Sequence, residues 1–308
     1  MFDVALSLVP VFTLIALGVV LRRARLLPAD GWTALERLTY FVLFPPLLFM
    51  SIAGGSFAGG EALKLGLAMA ATVLTMAALM LAIRPLLPIT GAQFSSVFQA
   101  GIRWNGYVAL GVISGLHGEE GVALSAVGFA VLVPINNLLS VLVLSRYAGT
   151  KPAPFGRVAR SVATNPLILA TVAASVFVVT GATAPPTVAD TLNLLGDATI
   201  SLGLICVGAA LDFSSMKSAK LAIGVGSALR LIAMPAVAAG MCAALGLGGT
   251  AFSIALICVA APVATSAYIL ARQLEGDAVL MANIITLTTL LSLVTIPATL
   301  LAAQALRG

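Results

Sequence analysis

Apolar runs long enough to cross a bilayer follow one another along almost the whole chain, and they constrain its fold more than any single motif. A spanning helix needs about 20 apolar residues. Runs of that kind lie near residues 3 to 21, 32 to 53, 62 to 83, 94 to 116, 121 to 145, 161 to 180, 190 to 211, 220 to 243, 251 to 271 and 278 to 303. Charges or Gly and Pro turns bound each run, which places one helix on each. Of the 308 residues, 60% are hydrophobic and 9% charged, with a mean hydropathy of +1.12, whereas a soluble domain carries about 25% charged residues. The expected fold class is an all-α polytopic membrane protein with ten transmembrane helices, helix one to helix ten, and the connections leave no room for a soluble domain. The first run has Asp3 before it and Arg22, Arg23 and Arg25 behind it. That is the reverse of a cleavable signal peptide, so the run is read as helix one. Cys206, Cys242 and Cys258 each sit inside an apolar run without a second cysteine at metal or redox spacing, and read as small buried side chains.

Cationic loops are retained on the cytoplasmic side of a membrane. Arg22, Arg23, Arg25, Arg37, Arg84, Arg146, Lys151, Arg157, Arg160, Lys217, Lys220 and Arg272 fall on one side, twelve of the 16 Lys and Arg. The other side has Lys64 and Arg307, while Arg103 and Arg230 lie within spans. Both termini are therefore expected outside and the loop 146–160 in the cytoplasm. Basic loops facing anionic lipid account for the net charge of +5 without any nucleic acid.

A shift of about 157 residues lays helix one on helix six and Pro28 on Pro185, and a shift of about 158 lays Gly118-Glu119 on Gly276-Asp277. The first pair lies in an outer loop and the second in an inner one. Five helices is an odd number, so the second copy must be inverted. Residues 1–145 and 161–308 are expected to form two inverted five-helix repeats, an architecture that places sites near the midplane in many secondary transporters.

Helix four carries Gln99, Gly101, Arg103, Trp104, Asn105 and Gly106 near its centre, and helix nine carries Pro262, Thr265 and Ser266 near its own. An Arg at mid-bilayer costs at least about 2.5 to 3.5 kcal/mol on insertion scales, Asn-Gly is a turn dipeptide, and a mid-helix proline removes a hydrogen bond. Both helices are expected to break there and cross. Crossed half-helices bring free amides and positive dipole ends to one point, which favours an anion. Arg103 either holds a substrate carboxylate with its planar fork or pairs with backbone carbonyls or a carboxylate on another helix. Asn105, Gly106, Pro262, Thr265 and Ser266 are candidate substrate-binding positions beside the breaks, against the alternatives of interhelical bonding and a plain kink. Asn137 in helix five and Asn283 in helix ten, with Thr286, Thr288, Thr289 and Ser292 nearby, either line the cavity or pack helices. Asp197 and Arg230 lie deep in helices seven and eight; they read as a structural ion pair, with Asp197 as a proton-coupling carboxylate the alternative. Glu36 beside Arg37 reads as a surface pair, and His117 as a solvated loop residue.

Taken in order, several of these segments resemble the auxin efflux carrier family of membrane permeases, which includes plant auxin exporters and bacterial malonate and malate carriers. The resemblance spans essentially the whole chain. It rests on the basic turn after helix one, Phe44-Pro45-Pro46-Leu47-Leu48-Phe49, Arg103-Trp104-Asn105-Gly106, the Gly115 to Gly121 turn, Asn165-Pro166-Leu167, and Gly276-Asp277 before Thr288 to Ser292. It implies an elevator-type carrier of organic anions, with helices 1, 2, 6 and 7 as scaffold and helices 3–5 and 8–10 as the transport domain around crossed helices four and nine. The plant carriers have proline at both crossovers, where helix four here has Asn105-Gly106. The short central loop fits a bacterial-type permease, hence the bacterial inner membrane, and argues against auxin as substrate.

An intramembrane enzyme lacks its chemistry in this sequence. His117 is the single histidine, Ser114 has no GxSxG around it, Asp197 has no facing carboxylate, and no HExxH or Cys-x-x-Cys suggests a metal. The reading is a secondary carrier for small mono- or dicarboxylates without a cofactor, open to proton or sodium coupling and to a homodimer. A channel or a receptor-like protein on the same scaffold is the alternative.

Overall fold

The computed structural model describes residues 2–54, 60–148, 156, 160, 163–212 and 219–305. Most of the expected loop 146–160 lies outside the described residues, as do Lys151, Arg157, Lys217 and Arg307. The described residues form helices and no sheet: α1 (Phe2–Arg23), α2 (Ala29–Gly54), α3 (Glu61–Ile83), α4 (Gly91–Ile102), α5 (Gly106–Tyr147), α6 (Pro166–Val179), α7 (Pro186–Ala210), α8 (Lys220–Ala244), α9 (Gly249–Ala260), α10 (Ser266–Gln273) and α11 (Ala278–Ala305). Among them, six stretches, α2, α3 with its short extension to Leu86, α5, α7, α8 and α11, are long and apolar enough to cross a membrane. Large apolar side chains such as Val9, Leu74, Val176, Leu194 and Val294 remain exposed around the outside. Such a surface suits acyl chains, and the chain is an integral membrane protein by this architecture.

Proline shapes two of the long helices. The ring crowds the carbonyl four residues back and brings no N–H. In α2 and α8 a π turn, Thr39–Leu43 and Leu229–Ala233, directly precedes the proline-bearing segment, with Pro45 and Pro235 each one residue into it. The wider turn lets the Phe44 N–H donate to the Thr39 carbonyl five residues back. These π turns also carry the two polar side chains, Tyr40 and Arg230, that matter at the site below.

α5 is two helices joined at Gly118, whose φ of 58° and ψ of −151° fall in a region open essentially to glycine alone. Gly118→Ala is expected to destabilise the protein by about 1–3 kcal/mol, read as a lower melting temperature in detergent.

α1 buries Leu8, Val11 and Ile15 at helical spacing and packs against α7 backbone to backbone. A Cβ on Gly18 would strike the Ile205 carbonyl, and one on Gly208 the Ile15 carbonyl, the close approach that small residues permit between membrane helices. Arg22 then donates to the Ala209 carbonyl at the end of α7, where cationic donors are favoured. α2 lies on α6 and α7, while α9 and α3 flank α5. Cys206, Cys242 and Cys258 are all buried, and none of them is in a disulfide.

Candidate functional site

α4 opens on a Thr90 and Gln93 capping box and ends at Ile102, Arg103 (φ −83°, ψ 117°) and Asn105 (φ −84°, ψ 103°) are extended, and α5 starts at Gly106. The restart is written in Asn105. Its Oδ1 accepts the Tyr107 and Val108 N–H groups at 3.1 and 3.2 Å, satisfying two donors that a helix start leaves unpaired. α9 ends at Ala260; Pro262 holds the preceding Ala261 extended (φ −58°, ψ 147°), and α10 begins at Ser266.

The two extended segments pair with each other. Trp104 and Val263 form an isolated antiparallel bridge, with Asn105 N–H donating to the Pro262 carbonyl at 2.8 Å and Ala264 N–H to the Arg103 carbonyl at 3.3 Å. Val263 N–H donates to Thr288 Oγ1 of α11 at 3.3 Å. These bonds satisfy several of the backbone groups freed by the two interruptions within the protein, as a membrane interior favours.

Beside this bridge lies a cavity of about 300 Å³. Phe44, Trp104, Tyr107 and Phe129 wall it with rings, the Trp104 and Phe129 centroids 4.5 Å apart and Phe44 5.2 Å from both Tyr107 and Phe129. Its charged lining groups are Arg103, Glu36 and the exposed Arg37. Arg103 donates through Nη1 to Asn137 Oδ1 at 2.8 Å and through Nη2 to Ser266 Oγ at 3.1 Å, while its Nε is buried without a partner. Asn105 Nδ2 is likewise buried and unpartnered. The guanidinium therefore sits between the N-terminal ends of α5 and α10, held by neutral groups only. Positive helix ends and a cation in one place favour an anion.

Of the residues the sequence singled out, Arg103, Asn105, Gly106, Asn137, Thr265 and Ser266 line this cavity. Pro262 does not; its part is played by its carbonyl in the bridge. Asn283 is fully buried in α11 and is not a lining residue, nor is Thr288, which serves the backbone. Three expectations need correction. The Asp197 and Arg230 ion pair is not formed: Asp197 is exposed on α7, whose inward face is Gly196, Thr199 and Gly203, and it does not line the cavity. Arg230 is fully buried and donates instead to carbonyls at the end of α9, Ala261 at 2.7 Å, Val259 at 2.8 Å and Cys258 at 3.3 Å. Glu36 is no surface partner of Arg37, for its Oε1 accepts from Thr265 Oγ1 at 2.7 Å across the cavity. His117 is half-buried and pairs with Ser253 Oγ at 2.8 Å.

Sequence reasoning missed Glu36, Tyr40 and the ring wall. Glu36, Tyr40 and Phe44 recur every four residues on α2, the spacing of one helical face, and all three line the cavity. Tyr40 is fixed there by Asn165, whose Nδ2 donates to the phenol oxygen at 3.1 Å while its Oδ1 caps α6.

Residues 154–300 match the family described as Membrane transport protein. An uncharacterized transporter of Methanothermobacter thermautotrophicus is 26% identical over 294 residues, covering 94% of this chain and 95% of the relative. The two matches, together with the apolar helices, support a membrane transporter.

Proposed function

We propose that the chain is a secondary carrier for small organic anions, mono- or dicarboxylates of the kind handled by the bacterial malonate and malate carriers in the auxin efflux carrier family. In this reading ten helices form two inverted five-helix repeats in a bacterial inner membrane, with both termini outside. α4 with the first half of α5 is helix four, α9 with α10 is helix nine, and the cavity at their crossing takes the carboxylate. α1, α2, α6 and α7 are the scaffold, and the rest moves against them as an elevator. The observation that carries this is the guanidinium of Arg103, which lines the cavity between two helix starts with only the neutral Asn137 and Ser266 as hydrogen-bond partners. A carboxylate fits that donor set, since its two oxygens accept from a planar fork.

Coupling follows from Arg230. An interrupted helix leaves carbonyls at its C-terminal end that attract cations, and sodium sites of transporters use such carbonyls. Here the guanidinium of Arg230 already occupies those of Cys258, Val259 and Ala261. Arg103, on the extended segment paired with the one after α9, adds a second cation, and like charges repel. Transport is therefore coupled to protons or uncoupled. The test is uptake of a carboxylate panel by purified protein in liposomes at equal pH, with and without an inward sodium gradient. Carboxylate flux unchanged by sodium is the expected result. Strong sodium stimulation would overturn the coupling assignment, and no carboxylate flux under any gradient would overturn the carrier reading.

A further inference from the structure

The cavity that holds Arg103 also holds a carboxylate, and the two are not partners. Glu36 has Thr265 as its one hydrogen-bond partner among the described residues, and Arg103 has Asn137 and Ser266. Two opposite charges thus line one space of about 300 Å³, each supported by neutral side chains and neither neutralised by the other. A partly buried charge held only by neutral groups is costly, and it gains when an opposite charge arrives with good geometry.

We propose that the preferred substrate is a zwitterion, its carboxylate on Arg103 and its ammonium on Glu36. This rests on the reading of Arg103 as the carboxylate anchor, and in place of a plain mono- or dicarboxylate it assigns that anchor a substrate that carries an ammonium as well. A ligand with two carboxylates would bring its second one into a cavity that already contains Glu36, and like charges in a space of this size repel. A plain monocarboxylate would leave Glu36 uncompensated. An ammonium group answers both, and the rings of Phe44, Trp104, Tyr107 and Phe129 suit it further, because aromatic faces attract cations. Arg37, the remaining charged lining residue, is exposed. In solvent it steers carboxylates towards the entrance, and it does not pair with Glu36, whose Oε1 accepts from Thr265. The volume lies at the low end for ligand pockets, about 300 to 1,000 Å³, which limits the substrate to a small amino acid-like molecule.

The experiment is a thermal-shift titration of purified full-length protein in detergent with two matched sets of acids. One set is butyrate, 4-aminobutyrate and succinate; the other is 3-phenylpropionate, phenylalanine and phenylsuccinate. A ligand that binds the folded state alone stabilises it by RT ln(1 + [L]/Kd), so the rise of melting temperature with concentration returns an apparent Kd. In at least one set, the amino member is expected to bind about tenfold or more tightly than its plain acid and its diacid, a step of about 1.4 kcal/mol. Glu36→Gln is expected to erase that gap by weakening the amino member and strengthening the diacid, Glu36→Asp to retain part of it, and Arg103→Gln to weaken all members alike. Equal or tighter binding of the plain acids or diacids to the wild type in both sets would overturn the zwitterion while sparing the carboxylate site. So would a gap that persists in a well-folded Glu36→Gln protein. No shift with any of the six acids would overturn the carboxylate anchor as well.

Discussion

Arg103→Gln is expected to weaken carboxylate binding and uptake by roughly ten- to a hundredfold without preventing insertion. Glutamine keeps much of the bulk and can still donate to Asn137 or Ser266, so the crossing of the two interrupted helices is retained. The charge-assisted bond to the carboxylate is lost, and such bonds contribute about 1.5 to 3 kcal/mol, the equivalent of that affinity change. Arg103→Lys separates charge from geometry. Lysine restores the charge as a point, not a fork, so it is expected to recover part of the affinity. Concentration dependence of uptake in liposomes reads both variants against reconstituted wild type at equal protein content. Unchanged affinity in a well-inserted Arg103→Gln protein would make the guanidinium a structural group.

Gly208→Val is expected to be the most damaging single change outside the site. A Cβ at this position runs into the carbonyl of Ile15, backbone against backbone, so α1 and α7 must separate before any side chain fits. Overpacking commonly costs about 1 to 3 kcal/mol, and this case belongs at or beyond the upper end because no flexible side chain can give way. Gly224→Val is the control, since a Cβ there meets nothing within 4 Å. Thermal unfolding in detergent should show a large loss for Gly208→Val and little for Gly224→Val. Equal melting temperatures would mean that the α1 and α7 contact does not hold the fold together.

The interruptions were legible because polar or ring-constrained residues stand out in an apolar run. Arg103, Asn105, Gly106 and Pro262 could be marked on composition alone, since the bilayer makes each of them expensive in a continuous helix. The pairing of Trp104 with Val263 was not legible, because it joins segments more than 150 residues apart and depends on how two helices meet. Glu36 was hidden by its neighbour: beside Arg37 it has the pattern of a surface pair, and only the shared face with Tyr40 and Phe44 sets it apart. Asp197 and Arg230 were misread because depth along a helix does not give direction around it. The face of α7 that packs is marked by Gly196 and Gly203, and Asp197 falls off it. Arg230 needed no carboxylate, because the break at Pro262 leaves carbonyls at the end of α9 that a guanidinium can serve.

The most direct test of a carboxylate carrier built on this crossing is the initial rate of carboxylate uptake by purified protein in liposomes as a function of concentration. Each acid is measured alone and against an excess of its primary amide, which has the same shape without the charge. The expected rate saturates and is unchanged by the amide, because the site is occupied once per cycle and selects the carboxylate. A rate that rises linearly without limit, or inhibition by the amide as strong as by the unlabelled acid, would contradict it.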